Sequence, residues 1–225
     1  MMGAGGGEPD EAPRHRVTVQ AFRMAKTEVT FGQHKKCVEA GTCEALRCVG
    51  QGEDYPVDCV SWEQARRFSE WEYAARSGGK DDMYPWGDAK ASCDLAVMGY
   101  RGILGQPLSV VDTVFSVSGK RSVIGKYGCG KDAAWPACSK PGGNTAQGLC
   151  DMAGNVCEWT QDWYHSTYNG APSDGSAWEK PRGLTRVIRG GSWFSSPLGI
   201  RVFTRRCGVI ALRKGFLGFR PVRAP

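Results

Sequence analysis

Ten cysteines in 225 residues constrain this chain more than any other feature. Eight fall into two groups: Cys37, Cys43, Cys48 and Cys59, then Cys93, Cys129, Cys138 and Cys150. Zinc wants close Cys-x-x-Cys pairs or nearby histidine. Here Cys43 and Cys48 are separated by four residues, and the only histidines are His15, His34 and His165. The grouping therefore reads as four disulfides, with Cys157 and Cys207 left as free thiols or as a fifth pair. Disulfides on that scale imply an oxidising, extracytoplasmic or secreted setting. Spacing alone does not give the connectivity, since eight cysteines allow on the order of a hundred pairings.

Cross-links of this number suit a fold built on turns. The 31 Gly, 12 Pro and 8 Trp point the same way, toward an irregular, loop-rich α+β domain and away from a helical bundle. No apolar run reaches the ~18 residues of a membrane span. The opening residues 1–8 carry no hydrophobic signal core. The net charge of +6 comes from scattered Lys and Arg. Without basic blocks or aromatic-interleaved basic motifs, no nucleic-acid partner is expected.

Along the chain, residues 1–13 are Gly-rich and charged and read as a mobile arm, leaving a single domain over residues 14–225. Residues 14–24 alternate apolar and polar side chains and predict an early strand. Thr30 with Gln33 forms a capping box for a helix over residues 30–40, stopped by Gly41. Ser61 with Gln64 opens a second helix running through Ala75, ended by Gly78-Gly79. Beyond it, short apolar pieces alternate with turn residues, as short strands between long structured loops do.

Five landmarks follow in order: Val60-Ser61-Trp62; residues 70–76, Glu-Trp-Glu-Tyr-Ala-Ala-Arg; Tyr84-Pro85-Trp86-Gly87; residues 144–159, ending Gly154-Asn155-Val156-Cys157-Glu158-Trp159; and Arg189-Gly190-Gly191-Ser192-Trp193, closed by Gly218-Phe219-Arg220. Together they resemble the formylglycine-generating, sulfatase-modifying family across residues 14–222. The resemblance implies a C-type-lectin-like fold, with two helices packed on short antiparallel strands. Two departures stand out. Ser69-Glu70 joins the two helical signatures directly where the family carries a longer loop. Cys157 stands where the family generally has an aromatic residue, and a thiol there predicts a gap costing about 3–5 kcal/mol unless it is refilled.

The family's activity is the oxidation of a sulfatase cysteine to formylglycine, and the resemblance implies copper held by two thiolates, soft donors that select the reduced metal. Those thiols would fall near Ser195 and Ile200, and neither is a cysteine. An oxidase using Cys157 or Cys207 is the alternative to a non-catalytic module. The resemblance also implies a structural calcium ion, held by the side chains of Asp151 and Glu158 and the carbonyls of Gly154 and Val156, hard oxygen donors in one turn. The competing reading pairs Glu158 with an arginine and lets Asp151 cap the turn.

After Trp193 the chain carries Arg201, Arg205 and Arg213 as a frame, and the residues between them follow neither a helix nor a strand period. Phe194, Ser195, Ser196, Leu198 and Ile200 precede the frame; Val202, Phe203 and Thr204 lie within it. Arg206, Cys207, Val209, Ile210 and Leu212 lead to Arg213, and Lys214 and Phe216 follow it. Apolar residues in irregular order mark a contact surface or ordinary core packing. The segment resembles the variable stretch of proteins diversified by retroelements, and the implied function is a ligand-binding module facing a protein or cell-surface ligand.

Overall fold

The computed structural model describes residues 1–46, 48, 50–65, 71–99, 127–223 and 225. The first helix, α1, spans Phe31–Glu39. It begins where the capping box places it: Gln33 N–H donates to Thr30 Oγ1 at 3.3 Å and Thr30 N–H to Gln33 Oε1 at 3.0 Å, satisfying two donors that a helix start leaves open. Helix α2 is Trp62–Ala65, with Ser61 N–H donating to Gln64 Oε1, and α3 is Trp71–Ala75. The Ser69-Glu70 link lies outside the described residues.

A four-stranded sheet forms from β2 (Cys157–Trp163), β3 (Arg186–Arg189), β4 (Arg206–Gly208) and β5 (Leu217–Gly218), in the order β4-β3-β2-β5. Strands β3 and β4 run antiparallel to their neighbours, with Glu158 opposite Arg189 and Val187 opposite Cys207. Strand β5 pairs with β2 in parallel, Cys157 opposite Leu217, which corrects the expectation of antiparallel strands alone. A return from β4 through residues 209–216 crosses to the far edge of β2, and that crossover makes the last pair parallel.

The expected strand over residues 14–24 is a ladder only at β1 (Arg23–Met24), paired with β6 (Val222–Arg223). Its alternation is nonetheless present: Val17, Val19 and Phe22 turn inward while Arg16, Thr18 and Gln20 face solvent. Residues 1–13, expected as a mobile arm, lie against the domain instead. Gly3 N–H donates to buried Glu72 at 2.8 Å, Met2 bridges His15, and Glu11 is fully buried against Arg201. A charged side chain holds this segment down where composition suggested only solvation.

The core has three parts. Val57, Val60, Trp62, Trp159, Ile188 and Leu217 pack between α2 and the sheet. Met98, Ala153 and Ile200 form a second cluster, and Trp71, Met152 and Val202 a third. The buried indoles keep hydrogen bonds: Trp62 Nε1 donates to Thr160 O, Trp159 Nε1 to Val60 O and Trp71 Nε1 to Glu158 Oε2, as a buried N–H requires. Gly191, at φ +67°, has Gly199 O 2.6 Å from where a Cβ would stand. That close approach explains the glycine of the Gly-Gly-Ser motif.

Four disulfides brace these loops: Cys37–Cys43, Cys48–Cys59, Cys93–Cys129 and Cys138–Cys150. Each joins cysteines within one of the two sequence groups, and Cys157 and Cys207 are free thiols. The bridges fit an oxidising environment. Among the described residues, no helix is long and apolar enough to cross a membrane.

Candidate functional site

Ser195 and Ile200, at the positions where the family's thiols would fall, are both buried. Ser195 Oγ accepts the Ser192 N–H at 3.0 Å, and Ile200 packs with Met98, Ala96 and Tyr84. Nearby, Cys157 lies on β2 in the core beside Val57, Val60 and Leu217. Burial pushes its thiol up to about 11, against a smaller opposing pull from Arg206. Cys207 is exposed on β4, with β3 lying between it and β2. The other eight cysteines are cross-linked. The donor set therefore does not fit a two-thiolate copper site: one thiol is held protonated and buried, and the other lies across the sheet.

The C-terminal segment divides by burial. Leu198, Cys207, Val209 and Lys214 are exposed, with Leu198 at 51% and Val209 at 55%. Phe194, Ser196, Phe203, Arg206, Ile210, Leu212 and Phe216 are half-buried. Ser195, Ile200, Val202 and Thr204 are buried, which corrects their placement on a contact face: their side chains fill the second and third core clusters or bond the backbone beneath. Phe194 meets Phe216 edge-to-face at 4.7 Å, and Trp193 meets Phe194 at 5.2 Å. Arg201 donates to Leu198 O and to the Glu11 carboxylate, and Arg205 to Asp10 O, so two frame arginines clamp the N-terminal segment. Arg213 stays exposed and, among the described residues, donates only to Ala211 O.

The two side chains expected to hold calcium, Asp151 and Glu158, lie near one another and each accepts from protein donors. Both oxygens of Glu158 accept from Arg220, and Oε2 also accepts from Trp71. Asp151 Oδ2 accepts the Cys138 N–H at 2.6 Å. Sequence reasoning missed Glu28. It is fully buried, both its oxygens lack a hydrogen-bond partner, and Arg220 Nη2 lies 4.0 Å away. Burial raises its pKa well above the ordinary value, and Asp151 raises it further. Burial raises Asp151 as well. Three carboxylates thus face one guanidinium, a buried excess of negative charge that a proton or a cation must offset. Glu28, neither oxygen of which has a donor, and Asp151, with Oδ2 on the Cys138 N–H, are the carboxylates here with acceptor capacity left for a cation, whereas both oxygens of Glu158 are taken. A lone acid between Thr27 and Val29 gives no sequence signal of this, because the orphaning arises only from tertiary contacts. The one other grouping among the described residues, Cys48, Asp58 and Cys59, has its two sulfurs cross-linked.

The sulfatase-modifying factor enzyme 1-like domain model matches residues 1–225. The chain belongs to this family. The formylglycine-generating enzyme of Streptomyces coelicolor is 28% identical over 186 residues, covering 74% of this chain and 52% of that protein, so the chain spans about half the length of that relative. PvdO from Pseudomonas aeruginosa superposes with a TM-score of 0.75 at 27% identity, covering all of this chain and 90% of the other. Treponema denticola variable protein 1 gives a TM-score of 0.64 at 20% identity, covering 93% and 86%, and shares the fold. The sulfatase-modifying factor domain therefore has the loop-rich, C-type-lectin-like α+β architecture, with few helices and curled sheets.

Proposed function

We propose that this sulfatase-modifying factor domain is a non-catalytic ligand-binding module whose C-terminal segment contacts a protein or cell-surface ligand. The observation that carries the reading is the division of residues 194–217. Buried Ser195, Ile200, Val202 and Thr204 and the clamped arginines Arg201 and Arg205 fix the backbone, while Leu198, Cys207, Val209 and Lys214 project from it. A scaffold of that kind tolerates change at the projecting positions without losing its core. Half-buried Phe194 and Phe216 supply the apolar area that contact surfaces use. The likeness to a protein whose name describes it as variable supports the reading further. In the same proposal, a structural calcium ion would sit at Glu28 and Asp151 and neutralise their charge.

Population sequencing of the coding region from many cells of the source tests the idea. Variation concentrated at the projecting and half-buried positions, with the four buried residues and Arg201 and Arg205 fixed, supports a diversified binder. A uniform segment rejects it, and so does copper-dependent oxidation of a sulfatase-type cysteine peptide by the purified chain.

A further inference from the structure

We propose that Cys48 is a site of reversible mixed-disulfide formation with a low-molecular-weight thiol, and that Asp58 passes the proton that the departing Cys59 sulfur takes up. Of the eight bridged cysteines, Cys48 alone is exposed; the others are half-buried or, like Cys59 and Cys150, buried. Exchange requires a thiolate to reach one sulfur of the bridge, and this bridge offers an accessible one. Among the described residues, Cys48–Cys59 is also the only bridge with a carboxylate beside it: an oxygen of Asp58 and the two sulfurs lie within 4.8 Å of one another.

The incoming thiolate attacks Sγ of Cys48 and forms the new S–S bond. The Cys48–Cys59 bond breaks, and its electron pair goes to Sγ of Cys59. Cys59 is 5% exposed, so a thiolate left there would carry the desolvation cost of a buried anion. A proton from the Asp58 carboxyl turns it into a neutral thiol, passing through one water or directly once the side chain turns toward the sulfur. Asp58 then regains its proton from solvent. In the reverse direction the Asp58 carboxylate takes the Cys59 proton, the thiolate attacks Cys48, and the small thiol leaves. One S–S bond is exchanged for another, and the thiol is the only co-reactant.

Asp58 is suited to both directions. Burial lifts its carboxyl to about 6, so it holds and releases a proton near neutral pH, and among the described residues no charged side chain contributes to that shift. The chain packed against it is Lys214-Gly215: Oδ2 lies 3.7 Å from where a Cβ on Gly215 would stand, and Lys214 is exposed. That stretch belongs to the C-terminal face. Cys59 N–H donates to Lys214 O and Trp62 N–H to Ile210 O, each at 3.0 Å, so opening the bridge loosens the support beneath those residues. The exchange itself proceeds whether or not that face binds a ligand.

Peptide mapping of the Cys207→Ser chain after timed exposure to glutathione and an acid quench tests the proposal; the exposed Cys207 thiol is removed so that it cannot exchange with the products. The expected result is glutathione on Cys48 and a free thiol at Cys59, formed at least about tenfold faster than any other bridge opens. Divided by the thiolate fraction of glutathione, the rate should fall as pH rises from about 5 to 8, because Asp58 loses its proton over that range. Asp58→Asn should flatten that dependence and Asp58→Glu restore it, with circular dichroism of both variants near that of the parent. The proposal is overturned by glutathione on Cys59, by another bridge opening at a comparable rate, or by the same pH profile in the parent and Asp58→Asn. A flat profile in the parent overturns it as well, whether or not Asp58→Asn folds.

Discussion

Arg220 Nη2 stands 2.8 Å from Oε1 of Glu158 in a pair that is 1% exposed on both sides. The same guanidinium donates to the carbonyls of Ala25, Lys26 and Cys150, so one side chain ties the strand before α1, the Cys138–Cys150 loop and β2 together. Replacing it strands a buried carboxylate and takes a donor from three carbonyls, of which that of Lys26 keeps the Cys150 N–H. Arg220→Met is expected to cost about 3–5 kcal/mol, read as a fall in the urea midpoint. Glu158→Gln in the same background should recover part of the loss, because it removes one of the three buried carboxylates that Arg220 offset.

Asp58 gives a pH dependence of known sign. Burial lifts its carboxyl from 3.8 to about 6, beside the Cys48–Cys59 bridge. The folded state then holds a proton that the unfolded state has released across that window. Stability therefore falls as pH climbs from 3.8 through about 6. Asp58→Asn should flatten this limb and raise stability at neutral pH by about 1 kcal/mol, once its partial exposure is discounted. Thermal melts across the acid range measure it, and identical slopes for variant and parent would refute it.

Local chemistry in the sequence located what local chemistry controls. Thr30 and Gln33 start α1 because the capping box needs only neighbours, and the two cysteine groups each close on themselves because the bridged residues lie near in sequence. The inward turn of Val17 and Val19 was likewise readable, but their strand was not, since a ladder needs a partner and only β6 supplies one. The site was less legible. That Ile200 and Val202 point inward while Val209 points outward depends on which way an irregular segment turns at each residue, and no period encodes that. Glu28, Asp162 and Glu11 look like ordinary surface acids in sequence. Only the folded chain shows Glu28 buried with neither oxygen hydrogen-bonded, Asp162 bonded to the Trp178 N–H, and Glu11 pinned by Arg201.

The two free thiols should differ sharply in reactivity. Cys207 is exposed on the sheet's edge strand, whereas burial pushes Cys157 up to about 11 and seals it in the core. Iodoacetamide should add a single label to the native protein, at Cys207, and reach Cys157 only after denaturation without reductant. Intact mass and peptide mapping read the outcome. Labelling of native Cys157 would mean that the core around Val57 and Leu217 opens readily.

The sharpest test of the C-terminal face is a contrast between neighbours. Leu198 and Val209 are more than half exposed, so Leu198→Asp and Val209→Asp should each change stability by less than about 0.5 kcal/mol. Ile200 and Val202 are fully buried two to nine positions away, and an aspartate at either would place a charge in the core. Those variants should lose about 4 kcal/mol or more, or fail to fold. Melting temperatures of the four proteins decide the matter. Equal losses would mean the segment is packed throughout and has no freedom to vary. The expected split would mean that selection for binding can act on the projecting residues while the frame keeps the fold.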